Sequence, residues 1–100
     1  MKEINNKLGY FKVVKEAPYT PEVIIEYQLP GYGIYLIVIQ NRYGAGGLWL
    51  VQSGDAREYP KIDFIAGTSS YFKVEGVQDR FTIRITRDGA SIDGIRIYTI

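Results

Sequence analysis

Hydrophobic and polar residues alternate along much of this chain with a period of two, the spacing of a β-strand that buries one face. Residues 80–88 (RFTIRITRD) show the pattern most clearly, because Phe81, Ile83 and Ile85 alternate with threonines and an arginine. Turn signals such as Pro30-Gly31 and Asp88-Gly89 divide the pattern into short runs, and no segment keeps a helical period. The sequence therefore predicts eight strands, at residues 8–15, 23–29, 33–41, 48–53, 61–67, 71–77, 80–88 and 91–100.

Eight short strands separated by close turn signals predict an all-β protein, either a sandwich or a barrel. An eight-strand antiparallel jelly-roll β-sandwich is the natural candidate. We expect one domain over residues 8–100, preceded by a tail at residues 1–7. Alternate positions on facing strands predict the following core: Phe11, Val13, Val23, Ile25, Leu36, Val38, Phe64, Phe72, Val74, Phe81, Ile83, Ile85 and Ile97.

The strand at residues 33–41 departs from the alternating pattern, because every residue from 34 to 39 is apolar or aromatic. Both faces of such a strand must leave water. Either another part of the chain covers the second face, or a second copy of the protein does. The apolar C-terminal strand raises the same question. We predict a homotrimer whose interface includes Tyr35, Ile37, Ile39, Tyr98 and Ile100.

Charge and composition narrow the possible functions. The chain has 12 basic and 11 acidic residues, a net charge of +1, with no basic stripe of the kind that binds nucleic acid. It has no histidine and no cysteine, which excludes imidazole proton transfer, thiol chemistry, disulfides and zinc sites that use those ligands. The N-terminus lacks an apolar core of signal-peptide length, and no apolar run approaches a membrane span. We therefore expect synthesis in the cytoplasm without membrane insertion.

Two stretches could carry chemistry, and neither has the full pattern that the chemistry needs. The glycines of GAGG (44–47) precede a strand, whereas a phosphate loop needs a helix and usually a lysine. We interpret GAGG as a hinge between strands. Asp55, Glu58 and Asp63 could form a carboxylate pair for glycoside hydrolysis, but a charged loop is usually only solvated. We expect no catalytic residue, no cofactor and no bound metal.

The nine tyrosines carry more information than the carboxylates. Several fall in predicted loops, where core packing does not require an aromatic ring. They either cover the ends of the sandwich or form a binding surface, since a rigid ring gives a large contact area at small entropic cost. The predicted receptor-binding or ligand-binding residues are Tyr32, Tyr43, Asp55, Arg57, Glu58 and Tyr59.

The order of motifs resembles the C-terminal head domains of bacteriophage tail fibres and other virion fibres. The motifs are GYFKVV, YLIVI, a glycine loop, LWLV, PKIDFIAG, YFKV, FTIRITRD and GIRIYTI, and they cover nearly all of residues 8–100. The resemblance implies a jelly roll similar to complement and tumour-necrosis-factor heads. It also implies a homotrimeric, non-enzymatic virion module that contacts other virion proteins and binds a glycan or protein on the host surface.

The sequence departs from these fibre heads because no coiled-coil, collagen-like or β-helical shaft precedes the strands. Two other functions therefore stay open. One is a monomeric carbohydrate-binding sandwich from a polysaccharide-degrading system. The other is a purely structural virion protein whose partners are the other proteins of the particle.

Overall fold

The computed structural model describes residues 11–54, 59–77 and 79–99, and this part of the chain forms eight β-strands and no helix. All eight predicted strands are confirmed. The first strand runs further than predicted and ends directly before Pro18, which cannot continue a ladder. The strands are β1 (Lys12–Ala17), β2 (Ile24–Gln28), β3 (Gly33–Gln40), β4 (Gly47–Ser53), β5 (Lys61–Gly67), β6 (Phe72–Gly76), β7 (Thr82–Arg87) and β8 (Gly94–Thr99).

The strands form two antiparallel sheets, one of five strands in the order β1-β8-β3-β4-β5 and one of three in the order β2-β7-β6. Apolar residues from both sheets meet in one buried cluster between them. The predicted all-β antiparallel sandwich is therefore confirmed. At a strand spacing of about 4.8 Å, the larger sheet extends roughly 10 Å beyond the width of the smaller one.

The connections follow a jelly roll only in part. A jelly roll is a long hairpin rolled on itself, so its strands pair first with eighth, second with seventh, third with sixth and fourth with fifth. Three of these pairs are present, but β3 has β4 rather than β6 beside it, and β6 pairs with β7. A meander of β3, β4 and β5 thus replaces the third jelly-roll pair.

The predicted faces of β3 are reversed in the structure. Tyr35, Ile37 and Ile39 are almost completely buried between the sheets, whereas Leu36 and Val38 lie on the opposite, outer face. Pairing decides the phase, because Ile37 stands opposite both Ile97 and Trp49, which also point inward. An all-apolar strand carries no alternation from which this phase could be predicted. Tyr35, Ile37 and Ile39 are therefore core residues, and their assignment to a trimer interface is wrong.

Other parts of the predicted core are correct. Phe72, Ile83, Ile85 and Ile97 are buried. A second group packs against the core while remaining partly exposed: Ile25, Val74 and Phe81.

Four more predicted core residues are exposed: Phe11, Val13, Val23 and Phe64. Phe64 lies on the edge strand β5, beyond the width that a three-stranded sheet can cover, and remains 43% exposed. Phe11 and Val23 precede their strands, and Val13 stands beside a bulge in β1, opposite the outward-facing Tyr98.

The antiparallel strands give the sandwich two ends. At one end lie the loops at residues 18–23, 41–46, 68–71 and 88–93, and we refer to it as the distal end. At the other lie Lys12 and Thr99, which pair with each other, together with the turns around residues 29–32 and 79–81, and we refer to it as the proximal end. The eight residues of β3 separate the two ends by roughly 25 Å.

Candidate functional site

The loop between β3 and β4 at the distal end is held by the side chain of Asn41. Its Oδ1 accepts hydrogen bonds from the backbone amides of Tyr43 (2.9 Å) and Ala45 (3.3 Å). Its Nδ2 donates to the carbonyl oxygen of Ser91 (2.8 Å), on the loop between β7 and β8. The side chain of Asn41 therefore fixes the shape of the β3–β4 loop and links that loop to the β7–β8 loop.

A second link joins the same two loops through charge. Arg42 donates from Nε and Nη2 to Oδ1 of Asp93 (3.2 and 3.0 Å), and its backbone amide donates to Oδ2 (2.7 Å). These bonds, first from the side chain and then from the backbone of Arg42, hold the pKa of Asp93 below its usual range. The Arg42 guanidinium is therefore engaged within the protein.

The two linked loops border a cleft of about 480 Å³ at the distal end. Its walls include two tyrosine rings, Tyr43, which is 84% exposed, and Tyr71, which is 41% exposed. The remaining described lining consists of Asn41, Ala45, Gly89, Ala90 and Ser91. The described lining thus combines two aromatic rings with small and uncharged polar residues, and no described lining residue carries a charge.

Gly89 holds the turn that forms part of this lining. Its φ of 84° lies in the left-handed region that favours glycine. A Cβ at this position would lie 3.6 Å from the ring of Tyr71, so the turn packs directly beside that ring. The amide of the preceding residue, Asp88, donates to the carbonyl oxygen of Tyr71 (2.8 Å) and fixes the turn against the start of β6.

The glycines of GAGG allow close packing of the backbone as well as a turn. A Cβ on Gly46 would overlap the carbonyl oxygen of Ile39, and one on Gly67 would overlap the carbonyl oxygen of Gly46. The GAGG residues lead directly into β4, as the interpretation of a hinge between strands requires. The segment is compact because the backbones at residues 39, 46 and 67 approach each other closely, which the missing Cβ atoms of Gly46 and Gly67 allow.

The predicted binding residues do not form one site. Tyr43 lies at the distal end, whereas Tyr32 and Tyr59 lie at the proximal end. Tyr32 accepts a hydrogen bond from Arg80 (2.9 Å) and packs edge-to-face on Phe81, with 5.3 Å between ring centroids. Tyr59 lines a separate cleft of about 340 Å³. Asp55, Arg57 and Glu58 lie outside the described residues.

Tyr71 was not among the predicted binding residues, although it shares a cleft with Tyr43. In the sequence it opens the predicted strand at residues 71–77, and nothing local indicates that the β7–β8 turn packs beside it. The signal that could have found it is the pair Asp88-Gly89, since a tight turn at this end of β7 brings residue 89 next to the start of β6. Only the pairing of β6 with β7 makes that visible.

The two outer faces of the sandwich differ in polarity. On the outer face of the smaller sheet, Arg84 forms an ion pair with Glu26 (2.7 Å) and Lys73 forms one with Glu75 (3.2 Å). This face is therefore hydrophilic. The larger sheet instead presents a contiguous set of apolar side chains, which we call the outer apolar face. Its members are Ile34, Leu36, Val38, Leu48, Leu50 and Tyr98. Ile34 is exposed to solvent, and the other five are partly buried.

No protein-family model matches the chain, and no similar protein was found among curated proteins or solved structures. Within residues 11–54, 59–77 and 79–99, no helix is long and apolar enough to cross a membrane. The same ranges contain no cluster of three or more carboxylates that could hold a metal ion.

Proposed function

We propose that this protein is a non-enzymatic attachment module that assembles as a homotrimer through the outer apolar face. The observation that carries the proposal is the contrast between the two outer faces. In an antiparallel sandwich the face turned to water normally alternates with the core face and is polar. The smaller sheet follows this rule, whereas the larger sheet carries, in addition to its apolar core face, a group of apolar side chains from β3, β4 and β8 on its outer face.

The outer apolar face is continuous across three strands. Leu36 stands opposite Tyr98 on one neighbouring strand and Leu50 on the other, and Val38 stands opposite Leu48. Each outward side chain covers roughly 30 Å² of the sheet plane, so the six cover roughly 200 Å² in projection. A stable interface needs about 800 Å² from each partner. Polar residues of the same outer face must therefore take part, including Arg96, which stands opposite Val38 and pairs with Glu16 (2.7 Å).

A closed trimer would cover this face on every copy. Around a three-fold axis the same residues meet their own copies, and no apolar patch is left to recruit further chains. Tyr98, which the sequence assigned to the interface, lies on this face, whereas Ile100 lies outside the described residues. The trimeric state, the virion location, and the partners among virion proteins and host-surface glycans or proteins come from the resemblance to fibre heads.

The acidic residues with perturbed pKa support a structural rather than a catalytic role. Asp93 accepts three hydrogen bonds from Arg42. Asp79 accepts from the amide of Phe81 (2.8 Å) and from the hydroxyl of Thr82 (2.9 Å), which lowers its pKa. Both carboxylates organise loops with bonds that favour their charged form.

The mass of the protein in solution tests the proposal. We expect wild type to sediment as a trimer and the Leu36→Glu variant to sediment as a monomer, since burying carboxylates at an apolar interface is unfavourable. Thr86→Glu is the matched control, because it adds the same charge to the outer face of the smaller sheet, opposite Lys73. The control should keep the wild-type mass. A monomeric wild type, or a trimeric Leu36→Glu variant, would contradict the proposal.

One observation favours a second candidate, a monomeric carbohydrate-binding sandwich. In the distal cleft, Tyr43 and Tyr71 line one concave site together with uncharged residues. Such a site needs no assembly. A monomeric wild type that binds saccharide would make this the leading function.

A further inference from the structure

We propose that the cleft between Tyr43 and Tyr71 binds a neutral saccharide, with a sugar ring placed against the tyrosine rings. This inference rests on the proposed attachment role and specifies the class of its ligand. It differs from the sequence prediction, which placed the binding residues at Tyr32, Tyr43 and the segment 55–59. The structure places Tyr32 and Tyr59 at the proximal end, and it joins Tyr43 at the distal end to a different partner.

The aromatic walls fit a sugar better than they fit a planar anion. One face of a pyranose ring presents C–H groups with partial positive charge, and the face of a phenol ring is negative. The two surfaces attract each other while both lose contact with water. Tyr43 is available for such a contact, because its ring is nearly fully exposed on a loop whose backbone is fixed by Asn41.

The absence of charge among the described lining residues indicates a neutral ligand. The nearest cation on the same loop, Arg42, is bound through two of its nitrogens to Asp93. The described lining therefore offers an acidic sugar no positively charged side chain. The volume of about 480 Å³ lies in the range of small-molecule sites, and a protein partner would need a much wider surface.

Polar groups for the sugar hydroxyls are present in the lining. In the described part of the chain, the backbone amides of Gly89 and Ala90 donate to no other protein group, so they can donate to a ligand. The tyrosine hydroxyls can both donate and accept. Asn41 and Ser91 are already bonded to each other and to neighbouring groups, so they hold the shape of the site.

The cleft is arranged before any ligand arrives. The bonds of Asn41 and of Asp93 fix the two loops to each other, and the turn at Gly89 is fixed against Tyr71. A preorganised site loses less conformational entropy when it binds. This matters for saccharides, whose hydroxyls must exchange water for protein at little net gain in energy.

The test follows backbone amide signals by NMR in the full chain while neutral oligosaccharides are added at millimolar concentration. The probes are maltohexaose, cellohexaose, xylohexaose, mannohexaose and tetra-N-acetylchitotetraose, with tetragalacturonic acid as the acidic comparison. We expect at least one neutral probe to shift the amides of residues 41–46 and 88–91 and to leave the proximal end unchanged. No shift with any neutral probe would overturn the inference, as would shifts produced only by the acidic probe.

Three variants locate the site. Tyr43→Ala and Tyr71→Ala should each weaken binding by about tenfold or more, the loss expected when a stacking ring is removed. Tyr59→Ala is the matched control, since it removes an exposed ring at the proximal end, and it should bind as wild type does. Equal affinity in all three variants would overturn the assignment of the cleft.

The outcomes separate this inference from the proposed assembly. A trimer that binds none of the neutral probes would retain the assembly and remove the saccharide site. A monomeric wild type whose distal amides shift with a neutral probe would retain the site and remove the assembly. Leu36→Glu should bind the probe as wild type does, because Leu36 lies on the outer face and outside the described lining of the cleft.

Discussion

Neighbouring residues on β3 have opposite surroundings, because Ile37 is fully buried between the sheets while Leu36 lies on the outer apolar face. We predict that Ile37→Ala lowers the free energy of unfolding by ~2–5 kcal/mol, since it leaves a cavity that the packed core cannot fill. Leu36→Ala is the matched truncation, and it should lower the free energy of unfolding clearly less than Ile37→Ala does. The comparison is made at a protein concentration low enough to keep the chain monomeric. Urea unfolding measures both, and a larger loss for Leu36→Ala would reverse the two faces.

A second residue-scale prediction concerns Asp93 and acid. Its pKa is lower in the folded protein than in the unfolded chain, so its contribution to stability is present above the unfolded value of about 4. That contribution is lost as the pH falls through the lower folded value. We expect stability to fall less steeply on acidification in Asp93→Asn than in wild type.

Arg42→Gln provides the matched control for this prediction, because it removes the partner and keeps the carboxylate. NMR titration of the Asp93 side chain should then give a higher pKa than in wild type. Identical titration in the two proteins would show that Arg42 does not set the pKa.

At the scale of elements, the sequence predicted where strands lie far better than how they face. Turn dipeptides and prolines end strands through local chemistry, so the eight strands could be placed from local sequence. The phase of β3 could not be predicted, because both of its faces are apolar and pairing with β4 and β8 decides which one is inside. The position of Tyr43 and Tyr71 in one cleft likewise depends on strand pairing, here that of β6 with β7, and could not be predicted from local sequence.

The contact between the loop 41–46 and the end of β5 gives an element-scale prediction. Gly67 has a φ of 93°, and a Cβ there would lie 2.7 Å from the Cα of Gly47. We expect Gly67→Ala to lower stability by ~1–3 kcal/mol, because it adds both strain and overlap. Gly31→Ala is the matched control, since its Cβ would meet nothing within 4 Å, and thermal unfolding should show little change. Equal losses would contradict the importance of this contact.

At the scale of the whole molecule, the unequal sheets explain why Phe64, on the edge strand β5, is not buried as predicted. A sheet of five strands cannot be covered by one of three, so edge residues such as Phe64 stay partly in water. The predicted core was drawn from alternate positions on facing strands, and that rule makes no allowance for an edge strand that the other sheet leaves uncovered. The count of strands was correct, but their division between sheets depends on the meander of β3, β4 and β5, which no local signal specifies.

The pairing of Lys12 with Thr99 determines how the protein would be oriented on a support. Lys12 and Thr99 both lie at the proximal end, roughly 25 Å from the distal cleft, so a tether joined at either residue would be attached at that end. A tether on either side would therefore point the cleft away from the surface that carries it. Lys12 and Thr99 are also neighbours, so a short linker could join them while new termini are opened in a distal loop. Such a circular permutant would be tethered at its distal end, and its proximal end would point away from the support.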